Sequence, residues 1–331
     1  MAAEMTHWER VRACLRGQDT DRTPVSMWRH FFDRETTPEG LAAAMLAFQQ
    51  RFDWDFMKVN PRASYHVEGW GVQTAYHGSE APTVTGVPIK QPDDWLKLET
   101  LPIESSVLRE HLDALETIAR GLKGQVPYIM TVFTPLAIAG RMTATEDIFV
   151  QHLREHPDRV KYALDVITLT FTRFAQACLD RGASGLFFAT TAFATADRLT
   201  PREYETFGRP YDLRLLNALP AAEFTVLHVC RDNNFLPALI DYPVQAFNWD
   251  ARGRGNLSLS EGKAIAGEPA VIGGIPYRRD LVEATPQQLA GDVAGLRAAM
   301  GKTGWMLGTG CTFAPETPER HIEAIRRAAG P

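Results

Sequence analysis

The chain has 331 residues, of which 45% are hydrophobic and 23% charged, and its formal net charge is −5 with a sequence pI near 6.0. This composition is typical of a globular protein with a large core, and its charge gives no reason to expect nucleic acid or an anionic membrane as a partner. No apolar run is long enough to span a bilayer and no charged-then-apolar leader opens the chain, so a cytoplasmic location is expected.

The N-terminal MAAEMTHWERVRACLRG predicts an amphipathic helix ahead of the first strand. Eight short apolar runs then predict buried strands. These runs are 23–28, 55–60, 126–133, 185–191, 224–230, 246–250, 269–275 and 303–311. Helical patterns lie between them, for example over 37–52, 105–122, 146–182 and 285–302. Threonine–proline pairs at 37–38, 200–201, 285–286 and 317–318 each predict an N-cap followed by proline at the first helical position.

Eight strands that alternate with helices predict a single (β/α)8 TIM barrel over residues 1–331, with an N-terminal helical extension. A doubly wound open sheet is the main alternative. Its Rossmann form is disfavoured, because no G-x-G-x-x-G turn follows the first strand. In a barrel, the loops after the strands form the active-site face, so residues at strand ends are the first candidates for function.

Ligand-type side chains stand at three of these strand ends. His228 and Cys230 end the fifth predicted strand in FTVLHVCRDNN, Asp250 ends the sixth, and Cys311 ends the eighth. Residues i and i+2 of a strand point to the same side, so His228 and Cys230 can bind one ion together. This set suits Zn²⁺, which would hold a substrate thiol as the thiolate, the nucleophile for an activated methyl group. The alternative is a core histidine beside a buried cysteine.

The other two cysteines, Cys14 and Cys178, are predicted to be small core residues. All four cysteines are far apart in a long chain without a secretory signal, so we expect reduced thiols rather than disulfides.

Further polar and aromatic residues are predicted at the barrel mouth. Arg29, Arg62 and Arg141 follow the first three strands and would bind an anionic substrate or contact a cofactor, unless they form solvent-facing salt bridges. Tyr65 and Trp249 would wall a pocket for a flat cofactor ring, although packing is the alternative. Gly274, which has no Cβ, would let a ligand approach the backbone.

The whole chain resembles the uroporphyrinogen decarboxylase superfamily of (β/α)8 barrels. The resemblance rests on DTDRTPVSMWRH near the N-terminus, on GTGCTFAPETPERHIEAI near the C-terminus, and on H-x-C followed by a distant cysteine. That last pattern is similar to the zinc motif of the methylcobalamin:coenzyme M methyltransferase branch. The resemblance implies His228, Cys230 and Cys311 as zinc ligands. Asp250 is a less certain fourth, by similarity to the glutamate ligand of cobalamin-independent methionine synthase.

The chain departs from the decarboxylase pattern at several positions. Arg62 stands where that family has its pyrrole-binding aspartate, and Cys311 stands where it has a C-terminal histidine. The family's second arginine falls on Asp33, and its tyrosine falls near Arg141. These departures argue against decarboxylation of uroporphyrinogen.

The resemblance therefore implies a zinc-dependent methyltransferase that moves a methyl group between a corrinoid and a thiol or other soft nucleophile, as in O- and N-demethylation systems. The D-x-H-x-x-G motif of corrinoid-binding domains is missing, so a corrinoid such as methylcobalamin is expected free or on a partner protein. The alternatives are a decarboxylase-like lyase acting on a carboxylate substrate, and a non-catalytic barrel that binds a tetrapyrrole or corrinoid. The sequence does not identify the methyl donor or acceptor, or choose between a monomer and a homodimer.

Overall fold

The computed structural model describes residues 4–330. The nine strands are β1 (Met57–Val59), β2 (Gln73–His77), β3 (Glu80–Gly86), β4 (Tyr128–Phe133), β5 (Gly185–Ala189), β6 (Val226–Val229), β7 (Ala246–Trp249), β8 (Ala270–Ile275) and β9 (Trp305–Thr309). Seven of them form one parallel sheet in the order β1-β4-β5-β6-β7-β8-β9. Consecutive parallel strands joined by helices give the predicted α/β barrel architecture.

Thirteen α-helices are assigned within residues 4–330. They are α1 (His7–Leu15), α2 (Pro38–Phe52), α3 (Tyr65–Glu68), α4 (Val107–Leu122), α5 (Pro135–Gly140), α6 (Glu146–Glu155), α7 (Pro157–Asp180), α8 (Pro201–Phe207), α9 (Arg209–Asn217), α10 (Leu259–Ala266), α11 (Arg279–Glu283), α12 (Pro286–Met300) and α13 (Glu319–Ala328). Two short 3₁₀ helices cover Pro92–Lys97 and Leu236–Ala238. None of the helices in this part of the chain is both long and apolar enough to cross a membrane.

The predicted strand at 23–28 is reduced to a single bridge between Val25 and Leu307. The segment still closes the barrel, since Ser26 N–H donates to Leu307 and the Asp55 N–H donates to Val25. A full strand does not form here for two reasons. Pro24 has no amide hydrogen, and the Val25 N–H donates to the Asp55 carboxylate at 2.7 Å instead of to a backbone carbonyl.

Three of the four predicted threonine caps are present. The Thr37, Thr200 and Thr285 side chains accept from the N–H groups of Gly40, Glu203 and Gln288. The prediction for 317–318 was wrong, because Pro318 itself is the N-cap of α13. The predicted helix over 146–182 is likewise two helices, because Pro157 cannot donate the hydrogen bond that would continue α6 into α7.

The barrel interior is filled by aromatic and aliphatic side chains and closed at one end by α1. Val11 and Cys14 of α1 belong to the same buried cluster as Trp28, Phe187 and Met306. The Cys14 thiol contacts the Trp305 carbonyl oxygen at 3.1 Å. A much larger apolar layer packs the sheet against the surrounding helices. A functional site can therefore form only at the opposite end of the barrel, where the strands have their carboxyl ends.

An antiparallel hairpin of β2 and β3 lies outside the barrel sheet. It was not predicted from the sequence. Most of its residues are partly or fully exposed, including Val84 at 55% exposure, so the hairpin adds little to the core. Its Ala81, Pro82 and Val84 form one wall of the cavity described below.

Candidate metal centre

His228, Cys230 and Cys311 meet at the carboxyl end of the barrel strands. His228 lies in β6, Cys230 follows β6 directly, and Cys311 follows β9 by two residues. One ligand atom from each residue lies within 4.8 Å of the other two. The strand geometry explains the meeting, because β6 places His228 and Cys230 on one side and the closed sheet brings the end of β9 to them.

The spacing of these atoms fits a tetrahedral zinc ion. The two sulfur atoms are 4.0 Å apart and both thiols are free. Zn–S bonds of about 2.3 Å at the tetrahedral angle require sulfur atoms about 3.8 Å apart. A disulfide would require about 2.05 Å. His228 is 3% exposed, and its Nε2 is buried without a hydrogen-bond partner among the described residues. A bound cation would satisfy this buried, unpaired nitrogen together with the two thiols.

Asn248 fixes the tautomer of His228. The two residues are register partners on β6 and β7, and His228 Nδ1 lies 2.6 Å from Asn248 Oδ1. The amide nitrogen of Asn248 donates to the carbonyls of Ile272 and Thr309 at 2.8 and 3.0 Å, so its oxygen must face the imidazole. Nδ1 therefore carries the proton and Nε2 keeps its lone pair, the form in which histidine binds a metal.

The two thiols share a hydrogen bond that separates their titration. The contact with Cys230 lowers the pKa of Cys311 well below its ordinary value, and the nearby His228 adds to this lowering. The same contact, together with burial, raises the pKa of Cys230 well above the ordinary value. One thiolate is therefore favoured before any cation is bound, and a divalent cation would stabilise both as thiolates.

A cavity of about 510 Å³ opens beside the two cysteines. Its size is in the range of small-molecule sites. The apolar part of its wall includes Val67, Val72 and Phe133 in addition to the hairpin residues. The polar part is cationic or neutral, and no aspartate or glutamate of the described chain lines it. The polar lining residues include His30, His66, Arg141, Arg231 and Arg278.

The three predicted mouth arginines lie in different surroundings. Arg141 lines the cavity and is exposed. Arg62 is buried and forms ion pairs with Glu68 and Glu110, so its charge is already matched. Arg29 is outside the cavity wall, where its Nε donates to the His30 carbonyl and burial lowers its pKa. Of the three, the structure brings only Arg141 to the candidate site.

The predicted cofactor-binding residues Tyr65, Trp249 and Gly274 are in packed layers and do not line the cavity. The Tyr65 hydroxyl donates to the Thr131 carbonyl at 2.7 Å, and its ring packs on Phe171 and Phe174. The Trp249 ring is fully buried, with Nε1 donating to Leu257 at 2.8 Å. Gly274 has φ +99°, and a Cβ there would lie 2.7 Å from Leu296 of α12. Each has a structural function in packing.

Asp250 stands at the rim but does not join the three-ligand group. Its Oδ1 accepts from the Arg252 N–H at 3.1 Å, and its Oδ2 lies 3.9 Å from the Arg278 guanidinium. Burial raises the pKa of this carboxyl group. The side chain therefore caps the loop after β7.

Three polar side chains around the candidate site were not identified from the sequence. Lys58 of β1 is 4% exposed, donates to Asn60 at 2.9 Å and lies over the Phe187 ring, which stacks on His228. Burial lowers the pKa of Lys58 to about 7. Asn248 and Glu35 complete the set, Glu35 because it holds His30 at the cavity wall. The detectable signal was a polar residue inside an apolar run, as in DFMKVN and AFNWD.

The fold and the site together define a class of protein. It is a parallel α/β barrel with a potential three-ligand metal site at the carboxyl ends of its strands. Residues 6–330 match the model of the family described as uroporphyrinogen decarboxylase (URO-D). The chain belongs to this family. The family resemblance inferred from the sequence motifs is thereby confirmed.

Individual relatives are distant. The uroporphyrinogen decarboxylase of Hydrogenovibrio crunogenus (strain DSM 25203 / XCL-2) is 22% identical in an alignment 354 positions long, which covers 98% of this chain and 97% of that protein. A methyltransferase from Methanosarcina mazei is similar over 98% of both chains, with a TM-score of 0.84 and 21% identity. A B12-independent methionine synthase from Shewanella sp. W3-18-1 has a TM-score of 0.58 and 15% identity, over 93% of this chain and 94% of its own. These likenesses concern the fold.

Replacing Asn248 with leucine is expected to lower zinc affinity by roughly 10- to 100-fold, the usual effect of losing a group that orients a metal-binding histidine. The matched variant Asp250→Asn should leave the affinity unchanged, because Asp250 caps a loop and lies outside the ligand group. Competition with a chromophoric chelator measures both, and ¹⁵N NMR reports the His228 tautomer. If both variants lost zinc affinity to the same extent, Asn248 would not be the residue that orients His228 for the metal, or Asp250 would not be a loop cap alone.

Proposed function

We propose that the protein is a zinc-dependent methyltransferase that moves a methyl group between a corrinoid and a thiol or other soft nucleophile. The family contains decarboxylases and methyltransferases, so the proposal rests on the site of this chain. The observation that carries it is the buried, unpaired Nε2 of His228 beside the sulfur atoms of Cys230 and Cys311. The M. mazei methyltransferase, with a similar fold, supports the same choice.

His228, Cys230 and Cys311 would hold the zinc, which when bound would supply Lewis acidity and lower the pKa of a substrate thiol. The side chains of the protein orient the histidine and bind the substrate. Asn248 presents the lone pair of His228, and the cavity provides room for a small substrate next to the two cysteines. Its apolar wall of Val67, Phe133 and Val84 excludes part of the water, which strengthens electrostatic interactions in the site. Holding the nucleophile in this cavity, with the methyl group of the donor at its mouth, would favour in-line attack.

The methyl donor is proposed to be a free corrinoid or one carried by a partner protein. The test uses purified protein, methylcobalamin and 2-mercaptoethanol under anaerobic conditions. We expect about one zinc per chain by elemental analysis and zinc-dependent loss of the methylcobalamin absorbance. A control preparation is stripped with a chelator and then reloaded with zinc. Full activity in the metal-free protein would exclude the proposed zinc dependence.

A lyase that acts on a carboxylate substrate is the second candidate. The observation that favours it is the cationic cavity, in which the side chain of Arg141 has no hydrogen bond or ion pair with residues 4–330. The surroundings of Arg62 argue against uroporphyrinogen as the substrate, because Arg62 already forms ion pairs with Glu68 and Glu110. We expect no coproporphyrinogen when the protein is incubated anaerobically with uroporphyrinogen. Clear turnover would favour the lyase.

A further inference from the structure

His30 is held at the cavity wall by a buried carboxylate. Glu35 is 1% exposed, and its Oε2 lies 2.9 Å from His30 Nδ1. The other contacts of Glu35 are with backbone donors, the N–H groups of Phe31 at 3.2 Å and Ala63 at 2.9 Å. An ionised carboxylate is only an acceptor, so His30 Nδ1 must carry the proton in this contact.

The opposite nitrogen of the ring is free to act as a base. His30 Nε2 has no hydrogen-bond partner within residues 4–330, and the side chain is 23% exposed on the wall that also contains Cys230 and Cys311. Phe32 stacks on the imidazole with centroids 4.8 Å apart and an interplanar angle of 9°, which fixes the ring from one face. A histidine oriented through Nδ1 by a carboxylate, with Nε2 facing a substrate cavity, has the arrangement of a general base.

Apart from Cys230 and Cys311, which the proposed function assigns to the zinc, the other titratable groups of the cavity wall are poor proton acceptors. Burial, aided by the charge of Arg141, lowers the pKa of His66 well below the ordinary value. Burial raises the pKa of Tyr277, and the guanidinium groups of the three arginines have no acceptor atom. The charged groups around His30 are Glu35 itself, Arg29, whose Nε donates to the His30 carbonyl, and Lys58. Burial lowers the pKa of Lys58, and the charge of Glu35 opposes this lowering only in part. Lys58 does not line the cavity.

We propose that His30, positioned by Glu35, is the general base that removes the proton from the nucleophilic substrate. The proton of the substrate S–H group goes to His30 Nε2 and the electron pair stays on sulfur. Sulfur then forms a bond to the methyl carbon, and the bond between methyl and the corrinoid cobalt breaks with its electron pair left on the corrinoid. In the opposite direction, the His30 imidazolium returns the proton to the departing sulfur. This assignment rests on the proposed methyl transfer.

The test compares His30→Ala, His30→Gln and Glu35→Gln with the zinc-loaded wild type, using methylcobalamin and 2-mercaptoethanol. We expect kcat near neutral pH to fall roughly 100-fold or more in the His30 variants, with the KM for methylcobalamin unchanged. The deficit should disappear at high pH, where the thiol ionises without help, and imidazole should restore part of the His30→Ala rate. ¹⁵N NMR should show the Nδ1–H tautomer of His30 in the wild type, and a Glu35→Leu variant, which has no acceptor for that proton, should lose the preference for it.

His77→Ala is the matched control, since His77 is on the exposed hairpin and contacts Thr83. Thermal melts show whether each variant is folded, and His30→Gln keeps a polar side chain at this position. A wild-type rate in both His30 variants, or a deficit that is constant with pH and not restored by imidazole, would overturn the assignment of His30. Wild-type protein that binds zinc but transfers no methyl group would instead overturn the proposed function, and His30 as its base with it.

Discussion

Replacing any of the three candidate ligand residues is expected to reduce zinc affinity by more than about 100-fold while the barrel stays folded. The loss should exceed the 10- to 100-fold effect of removing an outer partner, because each variant removes a bond to the ion itself. The variants are His228→Ala, Cys230→Ser and Cys311→Ser. Cys230 and Cys311 belong to neither of the two hydrophobic clusters, so their loss leaves the core intact. Methyl transfer should fall with the zinc content.

The controls are Cys14→Ser and Cys178→Ser. Both cysteines lie in hydrophobic clusters, and burial raises the pKa of Cys14 to about 12 and also raises that of Cys178. They remain protonated, so they should not contribute to metal binding. Chelator competition, elemental analysis and circular dichroism measure affinity, stoichiometry and fold. Full zinc occupancy in the single ligand variants, or unfolding of all three, would show that the metal centre is assigned to the wrong residues.

The sequence predicted the barrel because its strands are short apolar runs of regular spacing. Seven of the eight predicted runs contain observed strands of the parallel sheet. The strand predicted at 23–28 does not form, because strand formation depends on backbone donors and the Val25 N–H donates to the Asp55 carboxylate instead. The hairpin of β2 and β3 was missed because it is exposed and irregular, with register shifts and few buried residues.

The meeting of His228, Cys230 and Cys311 was predictable from their positions at strand ends, whereas the residues around them were not. Alternation along β7 places Asn248 and Asp250 on one side and Trp249 on the other, so Trp249 could have been assigned to the outer layer. The position of Arg62 after a strand did not reveal that Glu68 and Glu110 match its charge. Asn248 acts through His228 on the neighbouring strand, and Lys58 lies over Phe187, which is far from it in sequence. One sequence contains no information on such pairs, and Glu35, although only five residues from His30, lies in no strand or helix pattern that would mark the contact.

The largest effect on stability is expected from Asp55, at the end of the barrel closed by α1. Asp55 is 0% exposed and accepts from Arg10 at 2.6 Å, from Arg22 at 2.5 and 3.0 Å, and from the Val25 N–H. Arg10 and Arg22 are themselves 1% and 6% exposed. Asp55→Asn removes the charge that both guanidinium groups share. We expect a loss of about 3–5 kcal/mol in the free energy of unfolding, as when one partner of a buried ion pair is removed.

The same network predicts how stability changes in acid. Burial alone would raise the pKa of Asp55, but the hydrogen bond with His7 and the charges of Arg22 and Arg10 outweigh it and lower the pKa from its ordinary 3.8 to about 2. Because the folded-state pKa is the lower one, the stabilisation is complete above about pH 4 and is lost as the pH falls towards 2. A difference of nearly two pKa units corresponds to about 2 kcal/mol. The difference in the free energy of unfolding between wild type and Asp55→Asn should therefore become smaller as the pH falls from about 4 towards 2.

Asp53→Asn is the matched control for both effects. Asp53 is two residues away and also contacts His7, but its side chain is 63% exposed, and its φ of 53° is one that asparagine tolerates. An exposed pair of this kind contributes about 0–1 kcal/mol. Urea denaturation of the three proteins at pH 7 and pH 3 gives the comparison. If Asp55→Asn lost no more stability than Asp53→Asn at pH 7, the buried carboxylate would not be what joins α1 and the segment after it to β1.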